Sequence, residues 1–426
     1  MLDIKLIRKD KNAIEAKLKT KDPEISLSPI LALDERMLVI KGSVEELKAT
    51  RNSMSKEIGD KKREKQDTTS LMEEVSGLGN RIALLDQELI ELEKEIHVRL
   101  SSMPNIPMDD IKIGFDPQDN VCIKTFGAKR DFTFAPKNHV ELNEKLHLFD
   151  FQRAAKIAGS GWPAYKGLGA RLEWALINYM LDTHIANGFE MWMVPHLVKP
   201  EIMFGSGQLP KFEKQLFKIH DDDYELFLIP TSEVALNGLH HDEIFKEEEL
   251  PKKYCCYTPC FRREGGAAGS QERGLIRVHQ FNKVEMFCFT TPEQSESMFS
   301  QMQESAEAIL QGLKLHYRSM LLVTGDMSFS AAKTVDVEAW LPGQNRYYEV
   351  SSVSNCSDFQ ARRSQIRFKR KDDRPELIHT LNGSGLATSR LIVSLLETNQ
   401  QEDGSVILPD VLHKYMNGIT VLRPTV

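Results

Sequence analysis

The sequence is short of everything that would place it in a membrane or outside the cell. None of its apolar runs is long enough to cross a bilayer. The first residues, MLDIKLIRKDKN, lack the apolar core of a signal peptide. Six cysteines, at 122, 255, 256, 260, 288 and 356, match neither a disulfide framework nor paired CxxC zinc ligands. Cys256 and Cys260 are spaced so that they can share a metal, but the simpler expectation is buried, reduced thiols. A basic excess is also missing. The formal net charge of −7 argues against indiscriminate nucleic-acid binding and leaves room only for local basic patches. Together these absences predict a cytoplasmic protein without a membrane partner.

What is present begins with a helical hairpin. Leu33, Met37, Ile40, Val44, Leu47, Arg51, Met54 and Ile58 alternate in steps of four and three, and only Arg51 is not apolar. Leu71, Val75, Leu78, Ile82, Leu85, Leu89, Leu92 and Ile96 repeat the pattern without a break. A period of 3.5 is a coiled-coil seam. Ser28 with Pro29 predicts the start of the first helix, Ser70 with Glu73 a capping box on the second, and Pro104 with Pro107 its stop. The polar run GDKKREKQDTTS between them can turn the chain back, giving an antiparallel arm roughly 55–60 Å long at ~1.5 Å per residue. A dimerising coiled coil is the competing reading. Lys61, Lys62, Arg63 and Lys65 cluster near the tip, a pattern suited to salt-sensitive phosphate contact. Lys48 and Arg51 on the stem alternate with Glu45, Glu46 and Glu57, so a solvated helix surface explains them equally well. Met54-Ser55-Lys56 looks like part of a KMSKS nucleotide loop. It sits inside this helical pattern with no HIGH-like, GxGxxG or GxxxxGK partner, and is read as structural.

The 426 residues, 41% of them hydrophobic, suffice for two domains, expected at 1–105 and 106–426. The second reads as α+β. An amphipathic helix runs from Gly167 to Gly188 and leads to FEMWMVPHLVKP, where Pro195 suits an edge or interface strand. A long helix beside such a strand is what a two-fold homodimer interface often uses, although an ordinary packed helix fits as well. Short apolar runs then alternate with turns as far as RYYEVSSVSN, which predicts an antiparallel sheet, with helices at 293–314 and from 386 onward.

The chemistry lies in the charged strands. In CFRREGGAAGSQERGLIRVHQFNKVE, Arg262 offers paired donors for phosphate, Glu264 two residues on shares its strand face, and Phe281 and Glu285 share a face on the return. A cation, two carboxylates and an aromatic plane are what a nucleotide site needs, although an Arg–Glu ion pair alone is the plainer reading. The glycines between can fold over such a ligand. Glu349 and Ser352 offer oxygen ligands for Mg2+. LNGSGLATSR reads as a glycine-rich turn opening a helix, with Arg390 reaching back toward it.

These blocks in this order resemble the three motifs of class II aminoacyl-tRNA synthetases, and over nearly the whole chain they are similar to bacterial-type seryl-tRNA synthetases. SGQLPKFEKQLFKI, IPTSE, FRREGGAAG, RGLIRVHQFNKVE, YYEVSSVSNCSDFQARR and NGSGLA carry the likeness. The resemblance implies an N-terminal antiparallel coiled-coil hairpin that binds tRNA, here through Lys48, Arg51, Lys61, Lys62, Arg63 and Lys65. It also implies a class II catalytic domain on an antiparallel sheet flanked by helices. Arg262, Glu349 and Arg390 are its catalytic set. ATP would be held by these with Arg263, Glu264, Arg277, Phe281, Val350, Ser351 and Ser352. Serine would be held by Thr231, Ser232, Glu233, Arg262, Glu285, Asn382 and Ser384. Mg2+ would sit on Glu349 and Ser352, and Pro195 would mark the dimer interface. The partners implied are L-serine, tRNA(Ser) and, as a second RNA substrate, tRNA(Sec). The chain departs from the family pattern in GSGWPAYKG, at Arg263, where a small residue is common, and at Ser389, where glycine is usual. An adenylating enzyme with another acid or acceptor, and an RNA-binding protein with a dead catalytic body, are the competing functions. No separate editing domain is visible.

Overall fold

The computed structural model describes residues 1–264 and 274–424. The glycine-rich loop GGAAGSQER, with Arg273, lies outside the described residues. The chain divides into two compact units, Met1–Pro104 and Asn105–Val426.

In the first unit two short helices, α1 (Ile4–Lys9) and α2 (Lys11–Lys19), precede the long α3 (Ser28–Arg63) and α4 (Thr69–Ser101). All sixteen seam positions are buried or half-buried, Arg51 among them. The seam therefore closes on itself as an internal hairpin. Three ion pairs join the helices beside it: Arg36 with Glu88, Lys41 with Glu93 at 2.8 Å, and Lys48 with Asp86 at 3.3 Å. The ends differ from expectation. Ser28 is already helical, and its hydroxyl accepts from Lys11 Nζ at 2.7 Å instead of capping. Ser70 and Glu73 form no capping box. Asp67 closes the turn by accepting the Thr69 N–H at 2.9 Å, because the helix starts at Thr69, two residues earlier than a box on Ser70 requires. Buried Asp34, invisible to a heptad count, takes two hydrogen bonds from Arg8 and ties α1 to the stem.

The second unit is built on eight strands: β1 (Val121–Phe126), β2 (Glu190–Trp192), β3 (Lys252–Phe261), β4 (Gln280–Thr290), β5 (Tyr317–Leu321), β6 (Lys333–Leu341), β7 (Arg346–Asn355) and β8 (His379–Ala387). Their order is β1-β5-β6-β7-β8-β4-β3-β2, antiparallel throughout except for the parallel pair β2–β3. Alternation along β4 decides what each face does. Val284, Met286 and Cys288 enter a core with helices α5 (Leu168–Ala186), α7 (Ser295–Gly312) and α9 (Thr388–Asn399), through Leu176, Met302 and Leu391. On the opposite face Phe287 and Phe289 fill a second core with Phe227, Leu236 and Phe368. Lys283 and Glu285 continue that second face into a cavity.

One expectation about the strands is corrected. LNGSGLA is not a turn but lies within β8, and its glycines serve close packing. A Cβ on Gly385 would stand 2.2 Å from His184 Nε2, so only glycine lets the strand cross that side chain.

Candidate active site

The sheet, α6 (Ser232–Gly238) and the segments after β3 enclose a cavity of about 440 Å³. Four cations, Arg262, Arg277, Lys283 and Arg390, and four carboxylates, Glu233, Glu264, Glu285 and Glu349, line it together. A narrower recess shares Arg262, Glu264, Arg277, Glu349 and Arg390 and adds Phe281 and Val350. The arginine that follows β3, Arg262, therefore meets Glu349 and Arg390 in one space.

Arg262 and Glu264 arrive there by a different route from strand alternation. β3 stops at Phe261, and Glu264 adopts a left-handed backbone with φ of 44°. The turn keeps both side chains toward the cavity after the ladder has ended. Arg262 Nε donates to the Pro230 carbonyl at 3.3 Å, and its guanidinium lies 5.2 Å from the centre of the Phe281 ring. Arg277 pairs with Glu264 at 2.5 Å.

Glu349 and Ser352 are three apart, a spacing that should put them on opposite faces of a strand. A β-bulge resolves this. Val337 of β6 faces Ser351 while the next residue, Glu338, faces Glu349, so Val350 has no opposite number. The extra residue reverses the alternation, and both oxygen-bearing side chains reach the cavity. Beside them, Asp336 faces Ser352 across the ladder. Among the described residues its buried Oδ1 has no partner, and burial with the nearby Glu349 charge raises its carboxyl well above the usual range. This cluster of hard, under-neutralised oxygens fits a divalent cation such as Mg2+. Arg390, in the first turn of α9, donates to the Glu349 carbonyl at 2.9 Å and approaches its carboxylate at 3.4 Å.

The other end holds two buried carboxylates. Glu233 Oε1 accepts from Gln360 at 2.6 Å and from Asn382 at 3.2 Å. Burial, then the charge of Glu285, pushes its pKa up to about 7, against the pull of Lys283, Gln360 and Arg262. Thr231 caps α6, and its hydroxyl meets Lys283 Nζ at 2.8 Å. Lys283 also pairs with Glu285, both side chains being almost wholly buried.

Thr231, Glu233, Arg262, Glu264, Arg277, Glu285, Glu349, Ser352, Asn382, Ser384 and Arg390 line the main cavity, and Phe281 and Val350 the recess. Three residues named from the sequence do not line either. Ser232 is buried inside α6, and its hydroxyl has no partner among the described residues. Ser351, on the far side of the bulge, donates to the Ser384 carbonyl at 2.5 Å. Arg263 points into a separate groove with Lys214, Lys218 and His220, because it falls between Arg262 and Glu264 in the turn. Sequence reading missed Lys283 and Gln360. Lys283 was visible in the alternation Phe281, Lys283, Glu285, all on the cavity face. Gln360 is set by the helix Phe359–Ser364 and had no pattern to announce it. All six cysteines are free thiols and five are buried; desolvation pushes those of Cys255 and Cys256 up to about 12.

With this geometry in hand, the comparisons with known proteins are decisive. The family described as the seryl-tRNA synthetase N-terminal domain matches residues 1–107, and that described as the tRNA synthetase class II core domain (G, H, P, S and T) matches residues 216–399. The chain is 52% identical over 424 residues to the serine–tRNA ligase of Chlamydia pneumoniae, covering 100% of this chain and 99% of that one.

The chain belongs to the seryl-tRNA synthetase family.

The seryl-tRNA synthetase of Pyrococcus horikoshii, solved in complex with ATP, superposes with a TM-score of 0.94 at 36% identity, with both chains wholly covered. The cytoplasmic serine–tRNA ligase of Naegleria fowleri, solved with AMP, gives 0.91 at 28%, covering 100% of this chain and 99% of that one. As a member of this family the protein is an aminoacyl-tRNA ligase that joins serine to tRNA. Among the described residues no helix is long and apolar enough to cross a membrane.

The buried charges of this synthetase depend on one another. Replacing Lys283 with Met leaves Glu285 without its cation and drives the Glu233 carboxyl further up. A carboxyl raised above its unfolded value is destabilising once pH exceeds that unfolded value, and most so above its folded pKa. Lys283→Met should therefore lower stability by about 3 kcal/mol at pH 8 and by clearly less at pH 5, read from urea midpoints. An equal loss at both values would contradict this charge balance.

Proposed function

We propose that the cavity binds ATP and L-serine side by side and makes seryl-adenylate, which then acylates tRNA(Ser). The observation that supports this is the shared space of Arg262, Glu349 and Arg390. Arg262 would hold the α-phosphate, with Arg277 and Arg390 on the remaining phosphates. Phe281 would stack on adenine, and Glu264 would read its edge once released from Arg277. Glu349 and Ser352 would hold Mg2+, which supplies charge neutralisation at the phosphates. Glu233 and Glu285 would receive the serine ammonium. Thr231, Asn382 and Ser384 offer hydrogen-bond partners for the rest of the amino acid.

In the first step the serine carboxylate oxygen attacks the α-phosphorus, the P–O bond to the β-phosphate breaks, and pyrophosphate leaves. In the second, a terminal ribose hydroxyl of the tRNA attacks the activated carbonyl and AMP leaves. No side chain becomes a nucleophile. The chain's part is to position the reactants and to set fixed positive charge where negative charge develops. A pocket built for a hydroxyl rejects alanine because its polar groups would be left unpaired; threonine must be kept out by its extra methyl.

Arg262→Ala should reduce serine-dependent ATP–pyrophosphate exchange by about 10²–10³-fold or more while the fold persists. Exchange near the wild-type rate would remove Arg262 from the mechanism.

We assign tRNA binding to residues 1–105 and catalysis to 106–426. At the hairpin tip Lys61 and Arg63 are engaged with Glu57 and Asp60 on their own helix, whereas Lys62 and Lys65 have no ion partner among the described residues. Lys48 is tied to Asp86, and Arg51 sits half-buried in the seam, so both have stem roles as well. Contact through phosphates is largely blind to sequence and would serve tRNA(Sec) as well as tRNA(Ser). A homodimer in the cytoplasm completes the proposal. β2 is a sheet edge, Pro195 follows it exposed, and Met191, Met193, Trp174 and Ile185 leave apolar surface there. Replacing residues 35–95 with a short turn should spare adenylate formation and abolish charging, measured by exchange and by acylation of purified tRNA. Normal charging by the shortened chain would give the hairpin another role.

A further inference from the structure

Within the stretch Gly159 to Gly167, Gly161 and Trp162 pack against His279. Gly161 has φ of +82°, and its carbonyl accepts the His279 N–H at 2.8 Å. A Cβ at Gly161 would lie 2.7 Å from His279 Cδ2, so glycine is needed for the backbone to pass the ring. The Trp162 ring lies 5.5 Å from His279 and 5.7 Å from Phe217, and Phe217 meets His279 edge-on at 6.5 Å. The Gly161 backbone and two aromatic rings thus pack around the imidazole.

The held side chain has one polar contact that matters. Arg262 lies one residue beyond the last ladder pair, Phe261 with Gln280. There its N–H donates to the His279 carbonyl at 2.8 Å, and its own carbonyl meets His279 Nδ1 at 3.1 Å. Both main-chain polar groups of Arg262 are therefore engaged by one residue. A carbonyl can only accept, so the proton sits on Nδ1. His279 itself lines neither the cavity nor its recess.

We infer that His279 is a positioning residue for Arg262: packed against Gly161 and Trp162, it fixes the arginine's main chain where the sheet no longer does. The inference rests on Arg262 acting at the α-phosphate. A misplacement of about 1 Å at such a group costs on the order of 10²-fold in rate.

The test is ATP–pyrophosphate exchange by the full chain carrying His279→Leu, His279→Asn or Trp162→Ala. Leucine removes the donor, whereas the asparagine amide can place an N–H close to the Nδ1 position. Exchange kcat should fall about 30–100-fold in His279→Leu with the serine KM within about 3-fold of wild type. It should recover to within about 5-fold in His279→Asn and lie between the two in Trp162→Ala. In an Arg262→Lys background His279→Leu should cost less than about 3-fold, since residues acting through one another are not additive. Wild-type exchange in His279→Leu, equal losses in Leu and Asn variants of equal melting temperature, or additive losses with Arg262→Lys would each overturn the inference. If His279→Leu does not fold, the Asn and Trp162 variants decide it: wild-type exchange in Trp162→Ala, or an Asn variant down about 30-fold or more, overturns it. A defective Arg262→Ala beside a normal His279→Leu would sink this inference alone. A normal Arg262→Ala would sink the reading beneath it.

Discussion

Charge held away from water is tolerable only when opposite charge or a donor lies beside it, and that constraint organises this active site. Glu285 is acceptable where it is because Lys283 stands next to it on the same strand face. Glu233 is acceptable because Gln360 and Asn382 donate to it, and burial still leaves it poised near neutrality, about 7. At the far end the balance is left incomplete. Arg390 covers one side of Glu349, while Asp336 keeps beside Ser352 an oxygen without a partner among the described residues. A cationic ammonium at the first end and a metal-bound polyphosphate at the second are the ligands that would settle these local imbalances.

The sheet makes that arrangement possible. One face of β4 changes character along its length, from Phe281 through Lys283 and Glu285 to Phe287 and Phe289. The aromatic end anchors the strand in a core, and the charged end inherits its rigidity. Small departures from regular strand geometry then aim the remaining groups. The bulge at Val350 turns Glu349 and Ser352 to the same side. The end of β3 at Phe261 releases Arg262 and Glu264 into a turn. Another register shift, between Ser384 and Ala387, falls just before the helix that carries Arg390.

Much of this was legible in the sequence because it is periodic or motif-borne. The heptads foretold both long helices and their pairing, including the intrusion of Arg51. The order of the charged blocks foretold which side chains would meet. What escaped depends on single residues whose surroundings decide. A helix beginning at Thr69 rather than Leu71 replaces a capping box with Asp67. The glycines of LNGSGLA look like a turn until His184 is seen lying against Gly385. Arg263 and Ser351 sit in the right stretches of chain and point elsewhere, because strand ends and bulges change the side-chain phase. Gln360 and Asp34 are polar residues in buried positions, and no local pattern names their partners.

The central claim is that ATP and serine react between Arg262, Glu349 and Arg390. A crystal structure with Mg2+ and a non-hydrolysable seryl-adenylate analogue tests it most directly. The account predicts the adenine against Phe281, the phosphate replacement between Arg262 and Arg390, and the ammonium beside Glu233 and Glu285. An analogue bound outside this cavity, or one with its ammonium directed away from the two glutamates, would contradict it.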